Sequence, residues 1–213
     1  MKRISLYLLL VLFTVSVFAQ KDAQARDVLD KTSATLSKSK GIKAVFFIRT
    51  TNKAGANVGQ TSGSIQLKEN KFLLRTDGTT TWFDGKTQWS YLNGSEEVNV
   101  SNPDNDELQN MNPYALLYMY KSGFNYKYKG AKSIDGKQIY DILLTPEKKT
   151  NINQIELFIA KNNYQPIRII VTQKDRSKSE VIVSKYISGQ SYNDNLFKFD
   201  KKKYPKAEII DLR

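Results

Sequence analysis

Four carboxylates stand where general acid–base chemistry would be sought, Asp84, Asp141, Glu147 and Glu156, together with the serine–lysine run Ser177-Lys178-Ser179-Glu180. None has a spacing that pairs an acid with a base, and the run lacks the Ser-x-x-Lys step of a lysine-activated serine. The chain contains no histidine and no cysteine. That removes the usual general base, the thiolate nucleophile, any disulfide and the commonest transition-metal ligands. There is no Gly-rich phosphate loop and no repeated acidic metal loop. The residues therefore point away from catalysis, from a metal centre and from a cofactor, and toward binding.

What remains able to act is aromatic. Thr81-Trp82-Phe83-Asp84-Gly85-Lys86-Thr87-Gln88-Trp89-Ser90-Tyr91-Leu92 holds both tryptophans around an Asp-Gly pair, a strong β-hairpin signal in which Gly85 supplies the positive φ of the turn. Asp84 is then a turn residue, not a catalytic one. Rings this large must fill a core or line a cavity. Strand alternation puts Phe46, Ile48, Ile65, Leu67, Phe72, Leu74, Trp89, Tyr91, Phe124 and Tyr126 forward as one apolar wall. Leu29, Leu36, Met111, Leu116, Leu117 and Met119, on helical segments, would face it. An ordinary filled core and a cavity for a hydrophobic ligand fit this inventory equally well.

The elements that must position these residues can be read in order. Lys2 and Arg3 precede an apolar run over 4–18, and Val17-Phe18-Ala19 offers small residues for cleavage after Ala19. This is the pattern of a secretory signal peptide over 1–19, too short for a membrane span. The remaining 194 residues, 20–213, suit a single domain. Ala25, Val28, Leu29, Thr32 and Leu36 recur at helical spacing over 20–40, with Asp22 as N-cap and Gly41 as the residue past the end. From Ile42 the period becomes two. Short strands follow at 42–49, 63–68, 71–75, 79–83, 87–92 and 96–100, joined by Asp-Gly and Asn-Gly turns, with 50–60 a loop. Residues 101–123 break this meander with two short helical pieces, the second carrying Tyr114-Ala115-Leu116-Leu117-Tyr118-Met119-Tyr120. Further strands are expected at 124–129, 138–145, 152–160, 165–174, 179–188 and 193–199, the last with Phe197 and Phe199 on one face. Read coarsely, to within one or two elements, this is a mainly β protein of about eleven antiparallel strands with about three short helices.

The formal charge of +12 falls to +10 once Lys2 and Arg3 leave. Lys127, Lys129, Lys132, Lys148, Lys149 and Lys201 to Lys203 form a solvated face that suits an anionic membrane surface or an acidic partner. Export argues against nucleic acid as the partner.

The segments Gly63-Ser64-Ile65-Gln66-Leu67-Lys68, Trp82-Phe83-Asp84-Gly85-Lys86-Thr87-Gln88-Trp89-Ser90-Tyr91, Glu97-Val98-Asn99-Val100, Asn112-Pro113-Tyr114 and 140–146 occur in that order. Together they resemble the LolA-type periplasmic lipoprotein carriers, particularly a Bacteroidetes-like branch, over almost all of 20–213. The resemblance implies a half-open antiparallel β-barrel whose mouth is covered by a helical lid, and a non-enzymatic, monomeric carrier. Its cargo would be acylated lipoproteins, taken from an inner-membrane lipoprotein-releasing transporter to an outer-membrane acceptor. Acyl chains would lie between the wall residues and the helices over 22–40 and 103–122. Glu69 and Asn70 stand where well-studied members have an arginine that latches the lid and a proline, so that latch is not carried over. A carrier of another acylated lipid or glycolipid, or an envelope-sensing module of the same fold, are the alternatives.

Overall fold

The computed structural model describes residues 22–104, 107–108, 120–121 and 123–213. Helix α1 (Ala23–Lys38) starts where Asp22 caps it, its carboxylate accepting from the backbone N–H groups of Gln24 and Ala25 at 2.9 and 3.0 Å. The other Asp22 oxygen accepts from Tyr128 N–H at 3.0 Å, so one side chain both starts the helix and pins it to the sheet. Gly41 ends no helix in the expected way. It lies flat beneath Tyr192, whose ring a Cβ would meet at 2.7 Å.

The period-two segments form β1 (Ile42–Thr51), β2 (Asn57–Lys68), β3 (Lys71–Thr76), β4 (Thr79–Phe83), β5 (Gln88–Leu92) and β6 (Glu97–Ser101). After the 102–123 connection come β7 (Phe124–Ile134), β8 (Lys137–Pro146), β9 (Ile152–Ala160), β10 (Pro166–Gln173), β11 (Lys178–Ile187) and β12 (Glu208–Asp211). All twelve belong to one sheet in the order β12-β6-β5-β4-β3-β2-β1-β11-β10-β9-β8-β7. Its edges do not close on each other, which gives the expected mainly β, half-open barrel, with twelve strands in place of about eleven. β6 and β7 stand near opposite edges, so the 102–123 connection joins the two ends of the sheet.

Two expectations are corrected here. The loop over 50–60 shrinks to a turn around 52–56, because the backbone of 57–60 pairs with the end of β1 although those residues are exposed. Residues 193–199 do not form a strand. Asn193 accepts from Asn195 N–H and opens a 3-10 turn, Asp194–Phe197, followed by a second at Lys201–Lys203. The extra strand is β12, which runs parallel to β6.

Each face of the sheet has its own apolar cluster. Helix α1 covers the inner face, where Ala25, Val28, Leu29 and Leu36 join Ile42, Ala44, Phe46, Ile65, Leu67 and Phe72 in the main core. The outer face of β3–β6 is covered by the segment after β11, through Phe197, Phe199, Tyr204 and Ala207. Among the described residues no helix is long and apolar enough to cross a membrane.

Candidate functional site

Strand register decides which predicted wall residues meet. Ala44 lies opposite Ile65, Ile65 opposite Leu74, Leu67 opposite Phe72 and Phe72 opposite Phe83, and cross-strand partners share a face. Phe46 lies opposite Gly63, and a Cβ on Gly63 would come within 2.6 Å of the Phe46 ring. The glycine therefore makes the space that lets this ring lie down along the inner wall. On the other half, Tyr126 faces Leu144, Leu144 faces Ile155, and Leu157 faces Ile169. The wall thus runs continuously from β3 through β1 to β7. Eight of the ten predicted wall residues belong to it: Phe46, Ile48, Ile65, Leu67, Phe72, Leu74, Phe124 and Tyr126.

Trp89 and Tyr91 do not. Trp89 lies opposite Trp82 and Val100, and Tyr91 opposite Val98, all on the outer face. There Trp82 meets Phe199 and Tyr204 edge-on at 5.6 and 5.5 Å, and Tyr91 packs on Tyr204 at 4.8 Å. Their placement on the inner wall is corrected: the segment after β11 supplies the shelter these rings need. The inner face of β5 carries instead Gln88 and Ser90, next to Thr81, and the exposed Leu92 at the strand end. Nothing but alternation beside the tryptophan marked Gln88 and Ser90 in the sequence, and alternation alone does not say which set faces in.

Burial along the wall is uneven. Phe46, Ile65, Leu67 and Phe72 are buried, while Ile48, Leu74, Val171 and Val183 on the same face are only half-buried. Of the predicted lid residues, Leu29 and Leu36 are buried against the wall. Met111, Leu116, Leu117 and Met119 lie outside the described residues. The connection that carries them rests on the core at its described parts, through Leu108 and Tyr120.

Tyr120, buried, donates its phenol proton to Asp30 on α1, and Lys121 and Arg26 approach the same carboxylate at 3.4 and 3.6 Å. Burial and the Asp30 hydrogen bond hold the Tyr120 phenol well above its ordinary range, while the phenol and the two cations hold Asp30 low. Sequence reasoning missed this tie, because a tyrosine and an aspartate 90 positions apart carry no local signal. Glu69 lies at the exposed β2–β3 turn with φ 55°, away from the inner wall.

Two of the candidate catalytic carboxylates, Asp84 and Asp141, have structural work. Asp84 accepts from the backbone N–H groups of Lys86 and Thr87, closing the β4–β5 turn. Asp141 is buried and ion-paired with Lys132 at 2.5 Å on the outer face, and this contact, with lesser help from Glu156, raises the Lys132 ammonium. Ser177 bonds to Asp175 within its own turn.

Residues 15–175 match the family described as outer membrane lipoprotein carrier protein LolA. The chain belongs to the LolA-type family. An outer-membrane lipoprotein carrier protein of Haemophilus influenzae (strain PittEE) is 27% identical over 192 residues, covering 88% of each chain. One of Pasteurella multocida (strain Pm70) is 27% identical over 191 residues, covering 87% of each. A crystal structure of an uncharacterized conserved protein from Thermus thermophilus shares the fold, with TM-score 0.63 and 12% identity over 88% of this chain and 99% of that one. Members of the LolA-type family are non-enzymatic carriers.

Proposed function

We propose that the chain is a periplasmic carrier that shelters the acyl chains of lipoproteins on the inner face of the sheet and moves them from the inner to the outer membrane. The observation that carries this reading is the apolar inner face of the sheet, on which Ile48, Leu74, Val171 and Val183 pack against the core and yet stay half-buried. Each methylene buried there stabilises the complex by about 0.8 kcal/mol before the costs of association are subtracted. A half-open groove keeps those costs recoverable, so cargo can leave for a tighter site. The signal-like segment 1–19 delivers the protein, cut after Ala19, to the periplasm as one domain over 20–213. No nucleotide-binding motif is present in the sequence, so direction comes from the partners, an inner-membrane lipoprotein-releasing transporter and an outer-membrane acceptor. The exposed lysines 127, 129, 148, 149 and 201–203 favour contact with anionic headgroups near both.

Native mass spectrometry of the protein purified from periplasm tests this reading. An adduct with the mass of an acylated polypeptide is the expected result. Protein without an acylated adduct, after expression alongside abundant lipoproteins, contradicts it.

A further inference from the structure

The inner wall changes character at β5. Beyond Leu74 and Phe83 the inner-face residues of β4 and β5 are Thr79, Thr81, Gln88, Ser90 and, at the exposed strand end, Leu92, with Asn99 opposite Ser90 and Ser101 opposite Gln88. Gln88 is 7% exposed, as is Thr81. Gln88 Nε2–H donates to Ser90 Oγ at 3.2 Å, and the Ser90 and Thr81 hydroxyls stand 3.3 Å apart. Gln88 Oε1 is buried without a hydrogen-bond partner among the described residues. Such an atom is a standing cost to the fold, and a natural chain keeps few of them without a use.

The inventory of what is left over defines the ligand chemistry. Nε2 spends one of its two protons on Ser90. The Ser90–Thr81 pair shares one hydrogen bond, so one hydroxyl proton remains free. The shelf therefore offers one acceptor, Oε1, beside free donors. An ester or ether only accepts, and cannot satisfy Oε1. A secondary amide presents an N–H and a C=O together and can satisfy both sides.

We propose that Thr81, Gln88 and Ser90 form a subsite for an amide group at the polar end of the cargo, where the acyl chains join a polypeptide. This rests on the carrier reading above, and it adds a preference: the protein favours acyl chains attached through an amide over the same chains in an ester. The apolar wall alone would not discriminate, since it meets only methylenes.

The test compares an N-hexadecanoyl dipeptide with methyl hexadecanoate, each displacing a fluorescent fatty acid from the full protein, in wild type and in Gln88→Met. Methionine keeps the length and shape of glutamine without its polar atoms. The wild type is expected to bind the acyl dipeptide about five- to tenfold more tightly than the ester, as one or two net hydrogen bonds allow. Gln88→Met should lose that preference while keeping its affinity for the ester, and should be at least as stable to urea, since the orphaned oxygen is gone. An unchanged preference in Gln88→Met, or equal affinities in wild type, overturns the subsite and leaves the carrier reading intact. Failure of the wild type to bind either compound overturns both. A second variant, Ser90→Ala, separates the hydroxyl from the amide and should reduce the preference without abolishing it; no reduction also counts against the shelf.

Discussion

Gln88, Trp89 and Ser90 are consecutive, yet they belong to two different environments: the outer residue joins the cluster that holds Phe199 and Tyr204, the flanking pair faces the interior of the half-barrel. A strand makes this division automatically, because successive side chains point to opposite faces. The consequence is that truncating Trp89 should damage the fold and spare the function. Trp89→Ala is expected to cost about 2–3 kcal/mol in urea unfolding, less than a fully buried ring because Trp89 is half-buried, with uptake of a fluorescent fatty acid unchanged in the folded fraction. Weaker uptake at unchanged stability would put Trp89 back on the inner wall. Eight wall residues were legible from alternation alone, since each shares its face with other apolar side chains along its strand. Trp89 and Tyr91 were not, because a large ring on either face of a strand produces the same alternation, and the cover over the outer face comes from residues about a hundred positions later. In β5 a one-residue slip in assigning faces exchanges every side chain between core and ligand sides.

Among the elements, the segment between β11 and β12 is held by charge as well as by rings. Lys68 and Lys71 both reach Asp194, at 2.7 and 2.6 Å, and these two hydrogen-bonded ammonium groups hold the carboxyl down from 3.8 to about 2. A carboxyl lowered in the folded state stabilises it fully above the unfolded value, and that contribution disappears as pH falls through the folded value. The attachment should therefore be intact above about pH 4 and weaken between pH 4 and 2. Trp82 and Trp89, the only tryptophans in the sequence, lie under this segment and report on it directly. Their fluorescence should shift toward that of exposed indole in this window, ahead of any loss of far-ultraviolet circular dichroism, and Asp194→Asn should show the shifted signal already at neutral pH. A tryptophan signal in Asp194→Asn identical to the wild type's at every pH would show that the rings alone hold the segment. Helix α1, with its Asp22 cap, and the strands joined by Asp-Gly and Asn-Gly turns were readable because their signals are local. The two 3-10 turns and β12 were not. Phe197 and Phe199 alternate as a strand would, but the side-chain bond from Asn193 to Asn195 N–H settles a tighter local structure, and β12 exists only because the edge of β6 is there to receive it.

At the scale of the molecule, one open sheet carries a covered face and a face that is partly free. The outer side of β3–β6 is covered by the segment between β11 and β12, and on the inner side, among the described residues, α1, Leu108 and Tyr120 pack on a core whose Ile48, Leu74, Val171 and Val183 stay half-buried. A molecule built only for stability gains by burying all four residues further, since each still leaves part of an apolar side chain in water, where full burial from full exposure stabilises by roughly 1.5–3 kcal/mol. Leaving them accessible is what a reversible carrier requires. The decisive measurement places a photo-reactive amino acid at Leu74 in one protein and at Tyr91 in another, expresses each in cells fed radiolabelled palmitate, and irradiates. An acylated polypeptide crosslinked at position 74 and none at position 91 is the expected result. Label at position 91 with none at 74 would show that cargo lies on the outer face and would contradict the inner-face site.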